Sequence, residues 1–350
     1  MQGKRTSPFW GALLSGLSVL YGTVMYLRRT FFGLHIFNRK KISCPVISIG
    51  NITLGGTGKT PTVIQIAELL SRNNRRVVVV SRGYGRKDEA EIIVVSDGRS
   101  VLVDAQTGGD EPVLIASKLP GIPVVVGKKR YQAALLAMQR FRPDVMVLDD
   151  GFQHIQLKRD LDIVLVDAGN PLGNGKLFPA GILREPLGAL KRAHAVLITK
   201  IVSTGDVKAL KETIQRNTRA RIFTSQQVPV DLIDYRSNDI KPLSALRGSK
   251  VLAISGIARP DSFIKLLMSL GADIVAACAY PDHFDYKKTD LAAVFQRATD
   301  EKVSMIITTE KDAIRLKNLH ADGIWALRID LSVAEKNEWE TFLLEGLRNA

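Results

Sequence analysis

The sequence predicts an α/β fold whose core is a doubly wound, mostly parallel sheet. Short apolar runs rich in β-branched residues alternate with segments of helical periodicity. Parallel strands need a long crossover, usually a helix, so this alternation is typical of βαβ units. The strand patterns occupy residues 45–49, 77–80, 123–126, 144–148, 163–166 and 196–199. The helical patterns occupy residues 62–71, 112–119 and 130–140. Two further apolar runs flank the turn at 96–100 and predict an inserted β-hairpin.

The chain is long enough for two hydrophobic cores. It has 350 residues, of which 45% are apolar, and this composition is typical of a globular protein. The stretch 204–249 is less regular, and a second α/β pattern follows it. We therefore expect an N-terminal helix at 1–30, a larger domain at 31–225, and a smaller C-terminal α/β domain at 226–350 that closes over a cleft.

Charge and cysteine content restrict the function classes. Cys44 and Cys278 are too few for a disulfide framework and lack the spacing of a zinc site. The formal charge of +14 indicates an acidic partner such as nucleic acid, anionic lipid or a phosphorylated substrate. The basic residues form no recognition-helix or aromatic stacking motif, which disfavours a nucleic-acid-binding protein.

An uncharged apolar segment lies near the N-terminus, at residues 8–27, and is long enough to span a bilayer. Basic residues lie on both sides of it, namely Lys4, Arg5, Arg28, Arg29, Arg39, Lys40 and Lys41. They give a spanning helix no orientation bias, but they suit an interfacial helix near anionic headgroups. No A-x-A cleavage site follows, which disfavours a signal peptide. The sequence predicts a membrane-associated helix and leaves open whether it spans or lies in the bilayer.

A glycine-rich loop lies between the strand at 45–49 and the helix at 62–71. The backbone N–H groups of such a loop and of a helix N-terminus bind phosphate. The expected nucleotide contacts are Thr53, Leu54, Gly55, Gly56, Thr57, Gly58, Lys59 and Thr60. Lys59 would reach the β- and γ-phosphates, and Thr60 would offer its hydroxyl to Mg²⁺. Thr53 stands where the usual G-x-x-x-x-G-K-[ST] pattern begins with glycine, so this is a variant P-loop and the fold is expected to be P-loop NTPase-like.

Two acidic pairs and one histidine could complete a site. Asp149 and Asp150 end an apolar strand, where P-loop proteins place a carboxylate beside Mg²⁺; a solvated turn is the alternative. Asp110 and Glu111 begin a helix, where capping is the simpler interpretation. His283 lies in a Pro-Asp-His-Phe turn and could tune a base.

Together these motifs resemble the tetraacyldisaccharide 4′-kinase family of lipid A biosynthesis in Gram-negative bacteria. The resemblance covers nearly the whole chain, and the run Asp-Asp-Gly-Phe-Gln-His is specific to that family. Besides the apolar N-terminal helix, the motifs that carry it lie at residues 50–61, 81–85, 109–112, 149–154, 183–186 and 281–284. Threonine at position 53 is usual in the family.

The resemblance implies ATP-dependent phosphorylation of the 4′-hydroxyl of a tetraacylated glucosamine disaccharide 1-phosphate. The expected location is the cytoplasmic face of the bacterial inner membrane, with the anionic membrane surface and the lipid substrate as partners and no obligate protein partner. Asp110 is implied as general base, with His283 as its partner across the domain cleft. Asp149, Asp150 and Glu111 are implied to bind Mg²⁺ or to lie beside it.

Arg184, in Leu-Arg-Glu-Pro, is the candidate cation for the γ-phosphate. Its alternative role is a structural ion pair with Glu185 or another carboxylate.

The best alternative from another class is a membrane-associated P-loop switch ATPase. Such proteins carry a lysine early in the loop, and residues 53–56 contain none. A GTPase is disfavoured because Thr199-Lys200-Ile201-Val202 lacks the aspartate of a guanine-reading Asn-Lys-x-Asp motif.

Overall fold

The computed structural model of the protein describes residues 8–88, 91–201, 204–319 and 321–348. The helices are α1 (Pro8–Gly33), α2 (Lys59–Arg72), α3 (Ala105–Gly108), α4 (Asp110–Lys118), α5 (Arg130–Phe141), α6 (Thr204–Gln215), α7 (Pro260–Ser269), α8 (Lys288–Asp300), α9 (Glu310–Leu316) and α10 (Lys336–Arg348). The strands are β1 (Val46–Asn51), β2 (Val77–Ser81), β3 (Ile93–Asp97), β4 (Pro123–Val126), β5 (Val145–Asp149), β6 (Leu161–Asp167), β7 (Ala195–Thr199), β8 (Arg221–Ile233), β9 (Ile240–Pro242), β10 (Lys250–Ser255), β11 (Asp273–Ala279), β12 (Met305–Thr309) and β13 (Ile324–Val333).

The chain divides into two compact units. The first comprises Met1–Arg82, Lys129–Gln226 and Ser332–Ala350, and the second comprises Gly83–Lys128 and Gln227–Leu331. The sequence had placed residues 83–128 with the glycine loop, whereas here they belong to the second unit. The reason is that α4 packs on α9, where the ammonium of Lys118 lies 2.9 Å from the carboxylate of Glu310 and both side chains are largely buried.

The first unit is built on a parallel sheet in the order β2-β5-β1-β6-β7-β8. Every residue of β1, β2, β5, β6 and β7 is buried, as expected of parallel strands covered on both faces. In the register, Ile49 of β1 stands beside Asp149 of β5 and Ile163 of β6. The α/β fold with a mostly parallel sheet is therefore confirmed, and the carboxyl ends of β1, β5, β6 and β7 meet at one edge.

The second unit contains the parallel strands β11-β10-β12-β13 and two antiparallel pairs, β3 with β4 and β8 with β9. The predicted hairpin is present as a turn after β3. Leu102 donates its N–H to the carbonyl of Val95, and Val101 forms a bridge with Ser96. The second arm of this hairpin pairs with β3 at a single bridge, whereas the strand that pairs with β3 along its length is β4.

The N-terminal apolar helix is α1, and one face of it packs on the first unit. The Ser18 hydroxyl donates to the carbonyl of Leu177, and the Tyr21 hydroxyl donates to that of Arg184. A Cβ on Gly22 would lie 2.8 Å from a methyl group of Leu177, so glycine permits this close approach. The exposed apolar side chains of α1 are Phe9, Trp10, Leu13, Leu17, Val19, Leu20, Val24, Tyr26, Leu27 and Phe31. Of the described helices, Phe9–Gly33 alone is long and apolar enough to cross a membrane.

Candidate active site

The glycine loop connects β1 to α2 in the manner expected of a phosphate cradle. Gly55 and Gly58 have φ angles of +103° and +87°, which a side chain would strain. Gly58 is the residue before α2, so Lys59 is the first helical residue and the free N–H groups of the first turn lie beside the loop. The loop therefore joins a left-handed turn to a helix N-terminus, an arrangement that favours anions.

The variant residue Thr53 has a structural role in holding this loop. It is buried and forms a bridge with Leu183, and the next N–H, that of Leu54, donates to the carbonyl of Ile182 at 2.7 Å. At the end of β1, the side-chain amide of Asn51 donates to the hydroxyl of Thr57 at 3.0 Å. A segment outside the loop thus fixes its first residues, where other P-loops use glycine.

Lys59, Asp150 and Arg184 converge beside the loop. The Asp150 carboxylate lies 3.5 Å from the ammonium of Lys59, and the guanidinium of Arg184 donates to both of its oxygens at 3.0 and 3.1 Å. Burial would raise the pKa of Asp150, but the charges of Lys59 and Arg184 outweigh it and lower that pKa. The structure brings these three predicted residues together as a charged cluster with two cations and one carboxylate.

Asp149 ends β5 and is almost completely buried. Its Oδ2 accepts a hydrogen bond of 2.7 Å from the hydroxyl of Ser81 at the end of β2. Among the residues that the structure describes, no three His, Cys, Asp or Glu side chains cluster as a metal site. Mg²⁺ in kinases is commonly held by one or two carboxylates together with the phosphates. Asp149 and Asp150, with Thr60 at the start of α2, fit that donor set.

Among the described residues, the carboxylate that pairs with Arg184 is that of Asp150 and not that of Glu185. Glu185 pairs with Arg192 through two hydrogen bonds of 2.8 and 3.0 Å and accepts a third from Gln153. Arg184 instead faces Asp150. In the motif at 149–154, burial and neighbouring arginines lower the pKa of His154 to about 4, so this histidine is neutral at pH 7.

Asp110 and His283 are brought together within the second unit. Asp110 Oδ2 lies 3.0 Å from His283 Nδ1. The capping interpretation of Asp110 is wrong, because Gly109 is the residue before α4 and the Asp110 carboxylate contacts His283 and Arg315 instead. His283 has a φ of +62°, an unfavourable conformation for a non-glycine residue that its turn imposes.

Arg315 is a residue that the sequence reasoning missed. Its guanidinium donates to Asp110 Oδ2 through Nε at 2.8 Å and Nη2 at 2.5 Å. Burial opposes ionisation of Asp110, but the hydrogen bonds from His283 and Arg315 lower its pKa to about 2. Asp312, which is fully buried, fixes the other side of Arg315 through Nη1 at 2.9 Å. The sequence signal that could have indicated it is the charged run directly after β12, at residues 310–315.

Lys311 completes this group and contacts Glu111. Its ammonium lies 3.1 Å from His283 Nε2 and 3.5 Å from the Glu111 carboxylate. A protonated Lys311 donates to Nε2, which leaves the ring hydrogen on Nδ1, facing Asp110. Glu111, expected near the metal, thus has a lysine as its partner within the second unit.

Comparisons with known proteins show the family of this chain. The family model for tetraacyldisaccharide-1-P 4′-kinase matches residues 10–348. A tetraacyldisaccharide 4′-kinase of Syntrophus aciditrophicus is 41% identical over 362 residues, covering 99% of this chain and 95% of the relative. One of Geobacter metallireducens is 40% identical over 332 residues, covering 94% and 96%. A solved structure of LpxK from Aquifex aeolicus in complex with ATP is 31% identical, with a TM-score of 0.79 and coverage of 97% of this chain and 99% of that one. The chain therefore belongs to the tetraacyldisaccharide-1-P 4′-kinase family.

Proposed function

We propose that this chain transfers the γ-phosphate of ATP to the 4′-hydroxyl of a tetraacylated glucosamine disaccharide 1-phosphate. The observation that carries the proposal is the convergence of Lys59 and Arg184 on Asp150, beside a glycine loop that opens a helix. Phosphoryl transfer needs positioning and charge neutralisation more than covalent catalysis. This cluster is suited to supply both.

The first unit binds the phosphoryl donor. Backbone N–H groups of the loop and of the first turn of α2 hold the β- and γ-phosphates, and Lys59 contacts them. A triphosphate is a stronger anionic partner for Lys59 than Asp150 is, so binding releases the Asp150 carboxylate. Thr60, Asp149 and Asp150 would then hold Mg²⁺, which supplies neutralisation of the phosphate charge.

Arg184 neutralises the charge of the transferred group. In the structure its guanidinium is held by Asp150, with about a quarter of its side chain exposed. A cation that is already held in place needs little rearrangement to bind a phosphate oxygen instead of the carboxylate. Arginine suits this role because its planar fork matches two oxygens at once.

The Asp110 and His283 pair in the second unit orients the acceptor hydroxyl. Because Arg315 keeps Asp110 ionised, Asp110 alone is a weak base. A loose transition state requires little proton removal before the new P–O bond forms, so a weak but well-positioned base is sufficient. The proton of the hydroxyl then passes to the pair as phosphate leaves ADP for the sugar oxygen.

The exposed apolar surface of α1 associates with the membrane in which the lipid acceptor resides. Ten large apolar side chains of this helix face outward, while Ser18 and Tyr21 on its other face bind the first unit. A helix held this way by one face suits insertion of its free face at the bilayer interface. Because ATP is cytoplasmic, we place the enzyme at the cytoplasmic face of the inner membrane.

The deciding experiment measures transfer of labelled γ-phosphate from ATP to the lipid disaccharide 1-phosphate in detergent micelles. We expect labelled lipid from the wild-type protein, and a turnover lower by about a hundredfold or more in Asp110→Asn and His283→Ala. The KM for ATP should stay within about threefold, because neither residue is expected to contact the nucleotide.

Asp285→Asn is the matched control, since Asp285 lies two residues from His283, is largely exposed, and bonds only Gln106 among the described residues. It should keep wild-type turnover. ATP hydrolysis without labelled lipid would contradict the kinase assignment and favour the switch ATPase. A change confined to the KM for ATP would contradict the base role.

A further inference from the structure

Thr199 and Lys200, the incomplete guanine-reading motif of the sequence, hold the glycine loop in the structure. Thr199 is fully buried at the end of β7, and its hydroxyl donates to the carbonyl of Thr57 at 2.8 Å. The ammonium of Lys200 donates to the carbonyl of Gly56 and lies 3.3 Å from the carboxylate of Asp167 at the end of β6. The motif therefore contacts the nucleotide cradle directly.

Strand order places this contact on the side of β1 opposite to the metal site. β5, with Asp149 and Asp150, flanks β1 on one side, and β6 followed by β7 lies on the other. ATP is an extended ligand, and its γ-phosphate end is directed toward Asp150, where the phosphoryl group is neutralised. Its nucleoside end must extend the other way, over the carboxyl ends of β6 and β7, where α/β sheets bind ligands.

The charge of Lys200 is already compensated, which leaves its methylene stem for a ligand. The ammonium is bound to a loop carbonyl and to Asp167, which is nearly buried, while 29% of the Lys200 side chain stays exposed. Lys200 also has a φ of +55°, a strained conformation for lysine at the residue that follows β7. A side chain held so firmly offers a preorganised surface.

We propose that Lys200 is the nucleoside platform of the ATP site, its methylene stem packing on the face of the adenine ring while the Gly56 carbonyl and the Asp167 carboxylate hold its ammonium in place. A lysine stem beside a flat aromatic ring gains both apolar burial and cation–π attraction. The sequence places Val202 where a guanine-reading site has its aspartate, so no carboxylate at that position selects guanine. The platform serves the ATP site proposed above and depends on that assignment.

The test compares a donor that has a base with one that has none. Dissociation constants of Mg-ATP and of inorganic Mg-tripolyphosphate are measured by titration calorimetry on the full-length protein in detergent. Lys200→Ala should weaken ATP binding by about tenfold more than it weakens tripolyphosphate binding, because loss of the Gly56 contact affects both ligands whereas loss of the stem affects ATP alone. Lys200→Met, which keeps an apolar stem but not the loop contact, should recover most of this ATP-specific difference. Lys208→Ala, an exposed lysine of α6, is the matched control and should change neither value.

Each outcome bears on the proposal. Equal weakening of ATP and tripolyphosphate by Lys200→Ala would show that Lys200 holds only the loop, and would overturn the platform. No effect on ATP would overturn it as well. Wild-type protein that binds neither ligand would overturn the ATP site itself, and this result is distinct from a platform failure because it precedes any substitution.

Discussion

At the scale of single residues, hydrogen bonds in the second unit fix the carboxylate of Asp110, the proposed base, in one orientation. Asp110 receives donors from His283 and Arg315, and Arg315 is itself anchored on the buried Asp312. Asp312 in turn accepts a hydrogen bond from the backbone N–H of Gly256, so this series of hydrogen bonds is anchored on the backbone. Such a network restricts the Asp110 carboxylate to one orientation at the cost of its basicity. Arg315 is thus a positioning residue that acts through Asp110.

Substitution of Arg315 should therefore slow the chemical step without weakening ATP binding. We expect Arg315→Lys to lower kcat by about ten- to a hundredfold, because a lysine cannot make the paired Nε and Nη2 contacts, with the KM for ATP nearly unchanged. Added guanidinium should partly restore kcat in Arg315→Ala, which a merely structural role would not predict. Arg328→Lys is the control, since Arg328 also binds an aspartate, Asp231, through its Nε and Nη2 atoms elsewhere in the second unit. A fall in kcat of equal size in both lysine variants would refute the positioning role.

At the scale of elements, the sequence predicts best the strands that are buried in the sheet. The predicted strands agree with β1, β2, β4, β5, β6 and β7 to within two residues, because buried strands are continuous apolar runs. The irregular stretch at 204–249 instead contains α6 and β8. The middle of β8 alternates exposed and half-buried positions and includes Gln226, Gln227 and Pro229, so it lacks an apolar run. Motif spacing predicts Lys59 beside Asp150, whereas the Asp110 and Arg315 contact joins residues far apart in sequence and needs the fold.

The element whose function can be tested separately is α1. Leu20 and Val24 lie one turn apart on its free face, with 62% and 55% of each exposed. Leu20→Asp with Val24→Asp should reduce flotation with lipid vesicles by at least about tenfold, because two apolar contacts of about 1.5–3 kcal/mol each are replaced by charges. ATP affinity should not change. Met268→Asp, at an equally exposed apolar position on α7, is the control. Unchanged flotation of the double variant would place the membrane contact outside this face.

At the scale of the whole molecule, the net charge of +14 and the apolar helix contribute to membrane binding in physically different ways. Attraction between basic side chains and anionic headgroups adds about 1 kcal/mol for each cation near the surface and is screened by salt. Burial of apolar side chains needs no anionic lipid and is not weakened by salt. The two contributions can therefore be separated by lipid composition and ionic strength.

Vesicle binding of the wild-type protein should accordingly have a salt-sensitive and a salt-resistant part. With phosphatidylglycerol vesicles, we expect the partition coefficient to fall by about tenfold or more between roughly 50 and 500 mM salt, because the Debye length shrinks from above 10 Å to below 5 Å. With phosphatidylcholine vesicles, binding should be weaker and nearly independent of salt. The α1 double variant should retain the salt-sensitive part and lose the rest. If instead high salt abolished all binding to both vesicles, electrostatics alone would hold the protein at the membrane, and the apolar face of α1 would need another explanation.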